Sequence, residues 1–325
     1  MSSETITMAH GGGGRLMARL IQDLFVSAFA ELGLQADSDA AALDLAGPLA
    51  FTTDSFVVTP RFFPGGDIGS LAVFGTVNDL AMRGAKPEAL SLALILEEGL
   101  PMAELQRVIA SVAAAAKQAD VQIVTGDTKV VERGKGDGIF INTAGIGSLL
   151  TSADLAPRSI RVGDRILLSG DIGRHAVAIM AAREGIEFET EIESDLAPLA
   201  EPVAALIERG LDLHCLRDLT RGGLASALQE LASASGLGMR IRTAEVPVCD
   251  AVRGASEMLG LDPLSLANEG RFIAIVASDC ELRNTDGVLI GEVIESPAGM
   301  VILESEIGGS RIMDLPRGEQ LPRIC

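Results

Sequence analysis

The sequence closes on Leu321-Pro322-Arg323-Ile324-Cys325. A thiol at a chain end is exposed unless something covers it, and an α-carboxylate a few bonds away raises its pKa above the reference of about 8.5. Arg323 offsets part of that field. An incidental cysteine on a frayed end is the ordinary alternative. Elsewhere, carboxylates fall where the chain turns or where an apolar face is broken: Asp54, Asp79 and Asp127 in the first half, Asp218 in the second. Mg²⁺ takes carboxylate oxygens, keeps several waters and bridges nucleotide phosphates. Four such residues beside a glycine-rich loop, Gly11, Gly12, Gly13 and Gly14, therefore suit a Mg-nucleotide site. Taken singly, each Asp reads as a turn or cap residue and the glycine run as a flexible arm; the set is stronger than its members. Asn78 adjoins Asp79 and is a further candidate for binding the nucleotide. Lys129, two residues past Asp127, can neutralise a phosphate or a developing anion, and by type alone it is a surface lysine. Glu269, in Asn268-Glu269-Gly270 before an apolar strand, is either a general base or a turn carboxylate. His10, His175 and His214 are isolated, which gives no His-based metal site, and no P-loop or kinase signature occurs.

These residues need elements to hold them. Leu16, Leu20, Leu24, Ala28 and Leu32 predict an amphipathic helix over 15–32, closed by Gly33. A strand over 49–53 delivers Asp54. Asp67 caps a helix over 68–83 that carries Asn78 and Asp79. Strands over 89–96, 121–124 and 138–149 and a helix from Pro101 to Ala119 complete a β-α-β-α-β-β half. The pattern resets around Ala156 to Arg161. Beyond it come a strand over 165–168, helices over 174–183, 198–209 and 224–234, and strands over 271–277, 288–294, 300–304 and 310–315. Gly-Asp-Ile-Gly occurs at Gly66 and again at Gly170, each time opening a helix.

The bulk properties narrow the function. With 325 residues, 48% of them apolar, there is enough for two cores, built from Ala, Leu, Val and Ile because Trp and Tyr are absent. A formal charge of -19 with no basic cluster argues against nucleic acid and against an anionic membrane surface. The first ten residues lack an apolar signal core, and the longest apolar run is too short to span a bilayer. Four scattered cysteines without a Cys-x-x-Cys pair fit a reduced, cytoplasmic protein.

Thr52-Thr53-Asp54, the stretch from Phe62 to Gly69, the stretch from Gly75 to Ala85, and Gly126-Asp127-Thr128-Lys129-Val130 resemble the HypE hydrogenase-maturation proteins. The segments Arg217 to Gly223, Ala267 to Gly270 and Pro322-Arg323-Ile324-Cys325 complete the resemblance, which covers nearly the whole chain. The wider superfamily contains aminoimidazole ribonucleotide synthetase, selenophosphate synthetase and thiamine-monophosphate kinase. What the resemblance implies is a two-domain α/β (α+β) fold of mixed sheets with packed helices. Residues 1–155 would form a dimerising ATP-binding domain, 156–313 a second α/β domain, and 314–325 a flexible tail.

The implied activity is dehydration of a carbamoyl group on Cys325 at the expense of ATP, with Mg²⁺ as the second cofactor. A carbamoyltransferase would load the thiol, and the product cyano group would pass to an iron-scaffold complex for a [NiFe] hydrogenase. An amide oxygen leaves poorly until it is phosphorylated, and the nitrogen must lose its protons, roles for which Lys129 and Glu269 are the candidates. Two features depart from the family: only Ser278 to Asp286 separate the strand ending at Ala277 from Gly287, where relatives have a longer helical segment, and the glycine run is unusually rich. Another ATP-dependent member of the superfamily, or a non-catalytic carrier on Cys325, are the competing readings. No cysteine near the glycine run disfavours selenophosphate synthesis. Thiamine-phosphate phosphorylation leaves the cysteine tail unexplained.

Overall fold

A computed structural model describes residues 5–35, 40–185, 192–313 and 323–324. In the first half, four strands form one sheet: β1 (Leu49–Phe56), β2 (Ala85–Glu97), β3 (Gln122–Val131) and β4 (Ile139–Leu149), in the order β1-β4-β2-β3. Only β2 and β3 run parallel, because the helix α2 (Met102–Gln118) carries the chain back between them. Leu90, Leu92, Leu94 and Leu96 are buried at the two-residue period of a strand with one covered face. The helix α1 (Ile68–Met82) lies on that face and is buried on nearly every side. Asp67 caps it, accepting from the amides of Gly69 (2.8 Å) and Ser70 (3.0 Å).

The second half builds a seven-stranded sheet. Its strands are β5 (Arg165–Leu168), β6 (Leu213–Asp218), β7 (Gly238–Arg242), β8 (Phe272–Val276), β9 (Val288–Ile294), β10 (Val301–Glu304) and β11 (Ser310–Ile312), in the order β11-β10-β7-β9-β5-β8-β6. Four helices accompany it: α3 (Arg174–Glu184), α4 (Ala200–Glu208), α5 (Gly223–Ser235) and α6 (Asp250–Leu259). The halves are not independent. The apolar cluster under the first sheet also takes in Ala176, Val177, Ile179 and Val252 of the second half, and Ile324 of the tail.

Three of these elements escaped the sequence reading. Strands β6 and β7 are short, and His214 or Gly238 interrupts their apolar pattern; α6 carries Gly254 in mid-helix. The N-terminal helix also differs. It runs as α-helix over Arg15–Leu20, as π-helix over Ile21–Val26 and as α-helix again over Ser27–Phe29, ending in a 3₁₀ turn. The wider π turn advances the buried face by one residue, so Leu20, Phe25, Phe29 and Leu32 are buried, while Leu16 is exposed. The connection over 278–286 holds a single 3₁₀ turn, Asn284–Asp286. Cys325 and residues 314–322, including the end of the strand expected to reach Leu315, lie outside the described residues.

Candidate active site

Strand β1 and helix α1 present carboxylates to the same space. Asp79 stands on α1, and its Oδ2 accepts from the hydroxyl of Thr52 on β1 at 2.9 Å. Asp54 follows two residues along β1. Asp218 ends β6, and Glu269 sits just before β8. All four carboxylates line one cavity of about 720 Å³, together with Arg217, Thr220, Arg221, Gly223, Arg323 and Ile324.

Crowding like charges away from water changes their acidity. Burial raises the pKa of Asp79, and Asp54 adds to the shift against the Thr52 hydrogen bond. Burial, then the charge of Asp79, pushes Asp218 up to about 6. Glu269 is raised well above the usual carboxylate range, first by burial, then by Asp218, Asp195 and Asp54. One of its oxygens, Oε1, is buried without a hydrogen-bond partner. Such a cluster is poised to accept a proton or to gain from a cation.

Glu269 is held in place by its neighbours. Asp195 accepts from the amides of Glu269 and Gly270, each at 3.3 Å. Arg271 donates to the carbonyl oxygen of Gly270 at 2.9 Å. The backbone of Asp195 passes so close that a Cβ at position 270 would stand 1.9 Å from its carbonyl oxygen, so Gly270 is obligatory. At the far wall, Gly222 (φ +72) and Gly223 (φ +60) turn the chain into α5.

The other residues singled out from the sequence lie elsewhere. Asp127 pairs across the sheet with Ala93, then Asn142, then Ser55, which places it on the face opposite Asp54. It joins Lys129 in an exposed ion pair of 3.3 Å and lines a separate pocket of about 140 Å³ with Met17, Phe25 and Leu92. Gly11 abuts Val130 on this same strand. The glycine run, Asp127 and Lys129 thus form a second group, apart from the cavity that holds Glu269. Among the described residues, no three His, Cys, Asp or Glu side chains converge as a preformed metal centre. Asn78 is buried and donates to the carbonyl oxygens of Ala197 and Glu269, both at 3.1 Å, while accepting from the amide of Leu199 at 2.7 Å. It stitches the two halves together, and none of it faces the cavity.

Unexpected from the sequence is the way the tail enters. Ile324 is buried, and its carbonyl oxygen is 2.8 Å from Nε2 of His175. Arg323 pairs with Asp137, and its carbonyl oxygen accepts from the amide of Thr59 (3.2 Å) and from Arg183 (2.9 Å). An isolated histidine in a sequence gives no signal for such a contact.

The comparisons decide the family. Residues 37–149 match the AIR synthase related protein N-terminal domain, and 161–303 the C-terminal domain. The chain is 49% identical to the carbamoyl dehydratase HypE of Bradyrhizobium diazoefficiens, over 98% of this chain and 96% of that one. The chain belongs to the HypE family. The HypE of Escherichia coli is 44% identical over 98% of this chain and 99% of its own. A crystal structure of HypE in complex with ATP superposes with a TM-score of 0.94 at 46% identity, covering 99% of this chain and all of that one. A HypE–HypF complex matches at 44% identity with a TM-score of 0.79, over 91% and 99% of the two chains. Thiamine monophosphate kinase of Aquifex aeolicus, 19% identical with a TM-score of 0.61 over 89% and 98%, shares the fold alone. The two-sheet architecture is that of the HypE structures.

Proposed function

We propose that this chain dehydrates a carbamoyl group carried on Cys325 to a cyano group, with ATP as the co-substrate. The observation that carries the reading is the meeting of Ile324 with Glu269, Asp79 and Asp218 in one cavity. Transfer of the γ-phosphoryl group to the thiocarbamate oxygen turns that oxygen into a leaving group. Loss of phosphate then breaks the C–O bond. The nitrogen gives up two protons overall, one ending on phosphate and one in solution, and the C–N bond becomes triple. Glu269, with its raised proton affinity and an unpartnered oxygen, is the base for the nitrogen.

Mg²⁺ fits the donor set in part. Asp54, Asp79 and Asp218 repel one another across the cavity, and a divalent cation would relieve that repulsion while neutralising phosphate charge. Asp127, Lys129 and the run from Gly11 to Gly14 stand outside it, as does Asn78. The assignment of Asp127, Lys129 and the glycine run to the nucleotide depends on the outer face of the first sheet. Phe51 there is 72% exposed, with Leu49 and Ile95 also bare. This exposed apolar face supports a homodimer paired through it, in which Asp127 and Lys129 would lie at the junction.

The partners would be a carbamoyltransferase that loads Cys325, a reading supported by the HypE–HypF complex, and an iron-scaffold complex that takes the cyano group. Among the described residues no helix is long and apolar enough to cross a membrane. The four scattered cysteines support a cytoplasmic setting. Residues 1–155, 156–313 and 314–325 serve as nucleotide domain, second domain and tail. ATP hydrolysis that rises on carbamoylation of the tail tests the activity. A protein that only carries the group would show no such response.

A further inference from the structure

His175 lies at the start of α3 and is fully buried. Its ring is committed on three sides. Nδ1 is 2.8 Å from the hydroxyl of Ser194, Nε2 is 2.8 Å from the carbonyl oxygen of Ile324, and the ring meets Phe63 edge-on at 5.5 Å. A carbonyl can only accept, so Nε2 carries the proton and Nδ1 accepts from Ser194. Burial lowers the pKa of His175 and keeps it neutral, which suits this pattern. A site that needed filling alone would be better served by an apolar side chain, since burying an imidazole costs its hydration.

The next bonds explain what is being held. Arg183 donates through Nε and Nη2 to the carbonyl oxygen of Thr59 at 3.0 and 2.8 Å, so these two residues are fixed to each other. Together they grip the carbonyl oxygen of Arg323. Arg323 itself adopts φ +58, a left-handed conformation uncommon for a side chain of its size, and several contacts must hold it there. The carbonyl of Ile324 belongs to the peptide unit that leads on to Cys325. Fixing that oxygen sets the direction in which the chain leaves the grip.

We propose that His175 is a positioning residue: by donating Nε2–H to the carbonyl of Ile324, it registers the tail in the cavity so that the group on Cys325 meets Glu269. The proposal rests on the dehydratase reading for its consequence, but its geometry can be tested without catalysis. Two variants separate the two ring bonds. His175→Asn places an amide near the position of Nδ1, within reach of Ser194 alone, whereas His175→Gln extends a donor toward Ile324.

The full chain and both variants are treated with iodoacetamide, and labelling of each cysteine is followed by peptide mass spectrometry. His175→Asn is expected to label Cys325 roughly tenfold faster than the wild type, the scale of one buried hydrogen bond. His175→Gln is expected to return to within about twofold, with Cys215, Cys249 and Cys280 unchanged in both. Single-turnover dehydration of the pre-loaded tail is expected to fall in His175→Asn and recover in His175→Gln, while loading by the carbamoyltransferase is not slowed in either variant. Equal Cys325 labelling in all three proteins would overturn the proposal. So would equal acceleration in Asn and Gln, or a rise at buried Cys215 as well, which would mark His175 as a core residue. A wild type that protects Cys325 yet never dehydrates it would contradict the activity and leave the grip standing.

Discussion

Nε2 of His175 in the second half and the carbonyl oxygen of Ile324 in the tail are 2.8 Å apart, and Ile324 lines a cavity whose walls also include Asp54 and Asp79 from the first half. Three parts of the chain therefore converge on one space. The convergence explains how a residue at the end of the sequence can be acted on by groups more than 50 positions upstream, at Glu269, and farther still at Asp79.

The first prediction concerns charge and acidity. The folded pKa of Asp218 is raised to about 6 from 3.8, so between those values the folded protein binds more protons than the unfolded one. Stability contributed by this group is therefore greatest below about pH 4 and falls as pH rises through 6. Asp218→Asn is expected to stabilise the nucleotide-free protein at pH 7 by about 3 kcal/mol and to flatten that pH dependence. Urea titrations at pH 5 and pH 7.5 measure it; an unchanged slope between the two would contradict the burial of this charge.

Calorimetric titration with ATP probes the cation. Asp79→Ala is expected to lose at least tenfold in affinity when Mg²⁺ is present and to change little in its absence, because the carboxylate acts through the metal. Asp127→Ala in the same titration shows whether the exposed group on the opposite face belongs to the nucleotide site. Mg-dependent binding unaltered by both substitutions would remove the metal assignment altogether.

Much of this was legible in the sequence, and the losses have physical causes. Asp54, Asp79 and Asp218 could be picked out because each interrupts an apolar run at an element's end or face, and the structure brings these three together. Asp127 gave the same local signal, yet strand register puts it on the other face, and register across four strands is not encoded in a single stretch. Asn78 beside Asp79 looked like a ligand; helical geometry turns adjacent residues about 100° apart, so it faces the second half instead. The π turn over Ile21–Val26 defeated a four-residue periodicity. Asp195, Ser194 and His175 act through long-range contacts that leave no local pattern.

Asn78→Ala tests that stitching role. The substitution orphans the carbonyl oxygens of Ala197 and Glu269 and the amide of Leu199. It is expected to cost about 2–4 kcal/mol of stability, since each buried group left unpaired carries a penalty of about 1–3 kcal/mol with partial relaxation. A melting temperature equal to the wild type, together with weakened ATP binding, would restore Asn78 to the nucleotide site.

The exposed outer face makes a prediction about assembly. Light scattering of the wild type at micromolar concentration is expected to give twice the chain mass, and Phe51→Asp to give the mass of one chain. A wild-type monomer would count against pairing through the first sheet and against any role for Lys129 that depends on it.

Glu269→Gln separates binding from chemistry. ATP affinity is expected to persist, while dehydration falls by about 10²–10⁴, the range for loss of a general base. Equal rates in a single-turnover comparison would remove Glu269 from the reaction.

The most direct measurement is the mass of the tail itself. The protein is incubated with the carbamoyltransferase, carbamoyl phosphate and ATP, then digested and mapped. The peptide ending in Cys325 is expected to gain one carbamoyl group and, only with ATP, to lose one water from it, while Cys325→Ala still binds ATP and gains nothing. Modification at Cys215, Cys249 or Cys280, or a carbamoylated tail that never loses water, would contradict the account.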